Sequence, residues 1–505
     1  MASMIDGQKS RRVVIAGGGT TGWLAAAALS RQLGALLDIT LVESEEIGTV
    51  GVGESTIPTA RAFHRLIGLD EQKFMAETGA TFKLGIAFEN WARIGDRYIH
   101  AFGETGQSTW MGAFHNFWLQ AREDGFGGDF GDYCLELQAA DAGRFAIGGT
   151  APELSYAYHL DAGLYARHLR AVAEGAGARR IDGVIERVEQ GANGDIAALI
   201  LRSGKRIEGD LFIDCTGFRA LLIGQTLGSP FENWRHWLPT DSAVVTQTRA
   251  TGPAMPYTRA IAHGAGWRWR IPLQHRVGNG LVYDSRHLSA DEARAQLRAE
   301  VEGEMLFEPR LIRFEPGCRR EAWRGNCVAL GLAGGFVEPL ESTAIHLSMI
   351  AITRLLQMFP FDGNHAAAAR RFIAQGTADI ERIRDFIVLH YVLTERDDTA
   401  FWRAFRTMPI PETLQERIEL FRENGIAYQD KDELFRVDSW AQVMVGQRLL
   451  PRAHHRMATI MGEPRLRQTL DAMRAEIAVK VVALPAHQDF LQLYCPAAVA
   501  AVMRR

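Results

Sequence analysis

An α/β fold is predicted by three features of this 505-residue chain. A short apolar run, Arg12-Val13-Val14-Ile15-Ala16, passes directly into Gly17-Gly18-Gly19-Thr20-Thr21-Gly22 and then into a helix-like segment, Trp23 to Leu29. Two later runs, Asp210 to Gly217 and Asn326 to Gly335, again lead an apolar strand into a small-residue turn. Past residue 360 the chain changes to long amphipathic stretches. The expected organisation is a Rossmann-like dinucleotide-binding core with inserted segments over residues 11–360, followed by a largely helical region over residues 361–505. Residues 1–10 are polar and read as a leader or loose terminus.

Composition removes several classes of function. Apolar and charged fractions of 47% and 23% are ordinary for a globular protein, and a formal net charge of -4 gives no bulk electrostatic reason to bind nucleic acid or an anionic membrane. No run reaches the ~20 apolar residues of a membrane span. The five cysteines (Cys134, Cys215, Cys318, Cys327, Cys495) contain no C-x-x-C pair, so neither a metal centre nor a disulfide framework is expected, and reduced thiols in the cytoplasm are the simplest account.

The first strand is apolar on both faces, as a central parallel strand requires. Gly17 then permits a tight turn, Gly19 lets backbone approach a pyrophosphate, and Gly22 lets helix pack on strand, with Thr20 a further cofactor-binding candidate. The free N–H groups of the helix N-terminus favour phosphate. A second strand, Ile39 to Val42, ends in Glu43, about 20 residues beyond the glycines, where a carboxylate accepts hydrogen bonds from an adenosine ribose. This unit is common to flavin and nicotinamide enzymes. The Asp210–Gly217 run resembles a late FAD-contacting strand of flavin monooxygenases, and the run ending in Gly331 and Gly334 resembles their turn around the flavin ring, so FAD is the expected cofactor.

Ala80 to Phe88 alternates, with Ala80, Phe82, Leu84, Ile86 and Phe88 on one face and Thr81, Lys83, Gly85 and Ala87 on the other. Small neighbours give Lys83 a niche, or leave it an ordinary solvent-facing strand lysine. In Trp267-Arg268-Trp269-Arg270-Ile271-Pro272 both tryptophans share a face if the segment is extended, and the proline closes it. Pro339 to Ala344 precedes a helical segment, Ile345 to Leu356. Ser342 or Thr343 is the expected N-cap, and the free N–H groups beyond it suit an anion. Asn364 to Leu393 reads as helix with Gly376 its only breaker, Asp397 to Trp402 as a capped turn with buried aromatics, and Ile410-Pro411 as the start of another helix.

Taken together, Gly17 to Trp23, the Trp267–Pro272 hexapeptide, the segment around Lys83 and Phe336-Val337-Glu338-Pro339-Leu340-Glu341-Ser342-Thr343 resemble the flavin-dependent halogenases of the tryptophan and indole type. The resemblance implies that Lys83 and Glu341 are catalytic. It also implies that Gly51 to Pro58 is a strap over the flavin, with Gly53, Ser55 and Ile57 on the cofactor, and that Thr343 and Ala344 hold a halide. Trp267, Trp269 and Ser342 would support the site from behind. His100 and Phe102 resemble the pair that sandwiches an indole, and Trp440 lies in the segment corresponding to the substrate's polar end. The paired tyrosines that hold free tryptophan are missing from Phe435 to Gln447, so indole or an indole derivative is the better expectation, with residues 361–505 capping the substrate side.

The implied reaction takes reduced FAD from a separate NAD(P)H-dependent flavin reductase, with oxygen and bromide or chloride, and yields hypohalous acid that halogenates an aromatic. An FAD-dependent aromatic hydroxylase and a non-catalytic FAD-binding redox module are the competing readings. A homodimer is the default assembly.

Overall fold

The computed structural model describes residues 11–47, 53–110, 112–363 and 365–498. The expected leader at residues 1–10 and the first two strap residues, Gly51 and Val52, lie outside them. Arg11–Ala16 is the centre of a six-stranded sheet, with Val13 to Ala16 almost wholly buried. It pairs in parallel with Leu37–Glu43 on one side and Leu211–Asp214 on the other. Cys327–Ala329 and Arg179–Asp182 extend the sheet in parallel, and Trp323–Arg324 closes one edge antiparallel. The two later strands read from sequence thus flank the first unit. The helix Thr20–Leu33 is buried from Gly22 to Ser30 because its four consecutive alanines admit close approach of the helices Ala162–Gly175 and Ala344–Gln357.

A seven-stranded sheet stands beside this core. The tryptophan segment forms its strand Gly266–Pro272, between Arg276–Tyr283 and Thr258–His263. The two-residue period holds: Trp267, Trp269 and Ile271 are buried, while Arg268 and Arg270 reach Glu300 and Glu302 at 2.8 and 3.3 Å. Gly280 makes room for the indole of Trp269, since a Cβ there would lie 2.1 Å from the ring.

The run Ala80 to Phe88 differs from the single strand its alternation predicts. It divides at Leu84 into Thr81–Lys83 and Gly85–Glu89, which belong to different sheets. The Leu84 N–H donates to Pro256 O, and Gly85 lies so close to the neighbouring strand that a Cβ would stand 2.5 Å from His100 O. Both faces are covered, so Thr81 and Lys83 are fully buried.

The C-terminal part is helical as expected, with Ala366–Val392, Ala400–Phe405 and Glu412–Asn424 falling where the sequence places them. Its helices pack into the same cores as the sheets: Phe386 to Leu389 and Tyr391 join Trp91, Trp267 and Trp402, while Val481, Leu484 and Leu491 join the core behind the first strand. No helix among the described residues is long and apolar enough to cross a membrane.

Candidate active site

A cavity of about 820 Å³ opens where the first strand meets its helix. Gly17, Gly19, Thr20, Glu43, Gly217, Gly331, Gly334 and Ala344 line it, which gathers into one space residues more than 300 positions apart in the chain. The glycines have distinct reasons to be there. Gly17 adopts φ +105°, and a Cβ on it would meet Cys215 O at 2.3 Å. A Cβ on Gly22 would meet Gly17 O at 1.9 Å, so Gly22 closes the turn from behind rather than lining the cavity. Gly19 has nothing within 4 Å of its Cβ position, the open approach that a pyrophosphate needs. Glu43 lies 2.6 Å from Arg180 and 3.3 Å from Trp23 Nε1 at one end of this space. The group that the fold accommodates is a dinucleotide, and these features fit FAD.

Of the expected cofactor residues, Gly53, Ser55 and Ile57 stand apart from the cavity wall, which includes Glu54 instead. The reason is pairing: Gly53–Ser55 and Thr81–Lys83 both hydrogen-bond to the strand Ala157–Asp161, which brings Ser55 to Lys83. Lys83 Nζ donates to Ser55 Oγ at 2.7 Å, to Ser342 Oγ at 2.8 Å and to Thr56 O at 3.3 Å. The Phe102 ring centroid is 5.2 Å from the same nitrogen. Burial disfavours the ammonium and pushes Lys83 down to about 7, against the pull of the Glu341 carboxylate.

Ser342 and Thr343 do not cap the following helix with their side chains, contrary to expectation. Ser342 turns into the left-handed region (φ 60°), and its hydroxyl goes to Lys83 and Ser55. Thr343 is the N-cap residue by position, yet its Oγ1 is buried without a hydrogen-bond partner. That orphaned hydroxyl precedes the first free N–H groups of a 14-residue helix, and Ala344 lines the cavity. The arrangement fits a small anion.

Glu341 is 1% exposed and sits between two imidazoles. His100 Nδ1 lies 2.9 and 3.1 Å from its two oxygens, and His390 Nε2 lies 3.0 Å from Oε1. Burial alone would raise this carboxyl, but the two histidines outweigh it and hold it down to about 2. His100, expected against a substrate ring, is 2% exposed and packs on Phe386 and Phe435. Trp440 is likewise within the core, edge-on to Phe386 and 4.3 Å beneath the Arg417 guanidinium.

Two residues escaped the sequence reading. His390 lies in the run Phe386-Ile387-Val388-Leu389-His390-Tyr391 on the long helix, and the available signal was a lone imidazole in an otherwise apolar helical stretch. Glu338, three residues before Glu341, accepts from Trp267 Nε1 at 2.8 Å and Tyr391 OH at 2.5 Å, and burial pushes its carboxyl up. It therefore ties the tryptophan strand to the long helix. Trp267 and Trp269 stand with ring centroids 6.0 Å apart.

The sequence matches the family described as tryptophan halogenase over residues 12–463. Among curated relatives, the tryptophan 6-halogenase SttH of Streptomyces toxytricini is 36% identical over 84% of this chain and 86% of its own length. The tryptophan 7-halogenase RebH of Lentzea aerocolonigenes is 36% identical over 82% of each. Among solved structures, the flavin-dependent halogenase Xcc4156 from Xanthomonas campestris superimposes with a TM-score of 0.95 at 55% identity, covering 97% of this chain and 99% of that one. BrvH, a flavin-dependent halogenase from Brevundimonas sp. BAL3, gives 0.92 at 44% identity, with coverage of 97% and 100%. With the dinucleotide cavity, the buried lysine and the tryptophan strand in one molecule, the chain belongs to the tryptophan halogenase family and is an FAD- and halide-using, flavin-dependent halogenase.

Proposed function

We propose that this halogenase brominates or chlorinates indole or an indole-like arene, with Lys83 and Glu341 as its catalytic residues. The observation that carries the reading is a relay of three consecutive residues: Ser342 touches the Lys83 amine, Thr343 presents an unpaired buried hydroxyl, and Ala344 lines the dinucleotide cavity. Reduced FAD, delivered by a separate flavin reductase, supplies hypohalous acid from oxygen and halide when bound.

Lys83 does the next chemistry. An amine held near 7 is substantially neutral at physiological pH and carries a nucleophilic lone pair. Ser55 and Ser342 aim that nitrogen, which takes the halogen from hypohalous acid with release of water. Phe102 forms one wall beside it. Glu341, an anion at neutral pH, stabilises the cationic ring that forms when the arene takes the halogen, and accepts the ring proton. Trp267 and Trp269 keep the arene apart from the cofactor and so favour halogenation over oxygen transfer.

The test is mass spectrometry of indole and tryptophan reactions containing FAD, NADH, an added flavin reductase and bromide or chloride, with Lys83→Ala alongside. A halogen isotope pattern in the wild-type product and its loss in Lys83→Ala are expected, with indole preferred to tryptophan. Halogenation that persists in Lys83→Ala would mean that free hypohalous acid reacts and that Lys83 has no catalytic role. Oxygenated product without halogen would return the hydroxylase reading.

A further inference from the structure

The strand Gly53–Ser55 has different company on its two faces. Ser55 is turned toward Lys83, so Glu54 is presented on the opposite side, where its side chain joins the wall of the dinucleotide cavity beside Ala162, Gly163 and Ala166. The other carboxyls of that wall each hold an arginine: Glu43 and Glu45 share Arg180 at 2.6 and 3.0 Å, and Asp379 pairs with Arg354. Glu54 holds none. Among the described residues no N–H, hydroxyl or cation donates to either of its oxygens, and Oε2 is buried without a partner.

The charge that Glu54 does feel has its own sign. Asp161 lies across from Gly53 in the strand register and disfavours a second carboxylate beside it. Asp161 is itself supplied, by the Leu164 N–H at 2.9 Å and Arg276 Nε at 3.1 Å, so that guanidinium is committed elsewhere. Burial and Asp161 together push the Glu54 carboxyl up to about 7. FAD brings two phosphate charges and many oxygen acceptors into the same space, and by filling it removes the water that an ionised Glu54 needs.

We propose that Glu54 is a cofactor-contact residue that binds as the neutral acid: it donates its carboxyl hydrogen to an oxygen acceptor of the bound dinucleotide, and arrival of the cofactor draws that proton from solution. The inference concerns cofactor binding alone and does not depend on which arene is halogenated.

The groups around Glu54 leave this titration to it. On the helix Ala162–Gly175, Tyr165 is pushed well up by burial and by Glu54, and its OH lies 2.7 Å from His64 Nε2. Burial holds His64 down to about 3. Farther along the same helix Arg167 is exposed, and Arg170 is taken by Glu174 at 3.0 Å and Glu43 at 4.0 Å. His275, in the turn before Arg276, is pushed down to about 4 by burial and by that guanidinium. Neither imidazole nor the phenol changes charge between pH 6 and 9. Lys83, beyond Ser55 on the other face, does so near 7 and has to be separated by experiment.

The experiment follows binding of oxidised FAD to the whole chain freed of cofactor, by flavin fluorescence from pH 6 to 9 and by calorimetry in two buffers of different ionisation enthalpy. It compares wild type, Glu54→Gln, Glu54→Ala and Lys83→Met. Wild type should take up about half a proton on binding at pH 7 and about one at pH 8, and its Kd should rise by up to about tenfold per pH unit above 7. Lys83→Met should keep both features. Glu54→Gln, whose amide keeps a donor and cannot titrate, should bind within about threefold of wild type at pH 7, with a Kd flat in pH and no proton uptake. Glu54→Ala should bind at least about tenfold more weakly at pH 6, also without a slope. A wild-type Kd independent of pH with no uptake, a slope that survives in Glu54→Gln, or one that disappears in Lys83→Met overturns the proposal. A Gln variant as weak as the Ala variant overturns it too, since Glu54 would then be a carboxylate accepting from a cofactor hydroxyl. If Glu54→Ala does not fold, slope and proton uptake in Glu54→Gln against wild type decide.

Discussion

At the scale of single residues, Lys83 shows how a buried amine, the proposed catalytic group, is set against stability. A lysine with no exposure, hydrogen-bonded to two hydroxyls and a carbonyl, is pushed from 10.5 down to about 7. Between those values the unfolded chain binds the proton that the folded chain has released, so wild-type stability rises with pH across this window. Lys83→Met has similar volume and nothing to titrate. Its urea unfolding free energy relative to wild type should therefore be most favourable at pH 6 and decline by up to about 5 kcal/mol as pH approaches 10. A gap that does not change with pH would show that the amine is not desolvated. The same residue also shows what sequence can and cannot say. Its place in an alternating segment was legible, but Gly85 and Ala87 belong to another sheet, and Ser55 reaches Lys83 only because two short strands share a partner. Sequence separations of 28 residues to Ser55 and 259 to Ser342 carry no local signal of these meetings.

At the scale of elements, the strand–turn–helix at the N-terminus was readable in detail because each glycine answers a backbone requirement. Gly19→Ala puts a methyl into open space and should leave the unfolding midpoint close to wild type, while weakening FAD binding by at least about tenfold as followed by flavin fluorescence. Gly22→Ala drives a methyl against Gly17 O and should lower stability by about 1–3 kcal/mol whether or not FAD is present. Unaltered FAD affinity in Gly19→Ala would remove that residue from the cofactor site. The strand around Lys83 was less legible. Period-two alternation states which side chains point together, but it is blind to a change of sheet at Leu84, and a strand covered on both faces has no solvent side for the polar positions to mark. The helix at Ala344 was placed correctly and its cap was not, since the hydroxyl of Ser342 is claimed by an amine from a distant strand.

At the scale of the whole molecule, the helix His487–Tyr494 reaches back to hold the strand that carries Lys83. His487 Nε2 accepts the Phe82 N–H at 3.2 Å, while its Nδ1 donates to Ala254 O at 2.7 Å, so the ring is neutral and both nitrogens are used. Phe82 in turn stacks on Phe145 at 4.1 Å and meets Phe490 and Tyr494. His487→Leu leaves the buried Phe82 N–H unpaired and should lower the unfolding free energy at pH 7 by about 1–3 kcal/mol. Burial pushes His487 down to about 4 from 6.5, so the unfolded chain binds the extra proton between those values and the ring's contribution is lost as pH falls through them. The deficit of the variant should accordingly shrink from pH 7 toward pH 4 in urea titrations. A deficit independent of pH would show that the ring contributes only packing.

The sequence by itself determined the dinucleotide unit, the later cavity-lining strands, the helical C-terminal part and the candidacy of Lys83 and Glu341. Each is written in local backbone needs, in side-chain periodicity, or in motifs short enough to read along the chain. Only the tertiary structure decided that Ser55 serves Lys83, that Glu338 ties Trp267 to Tyr391, and that His390 completes the grip on Glu341. These are contacts between elements far apart in the chain, and their energies depend on burial, which exists only once the sheets and the long helix have closed over the site.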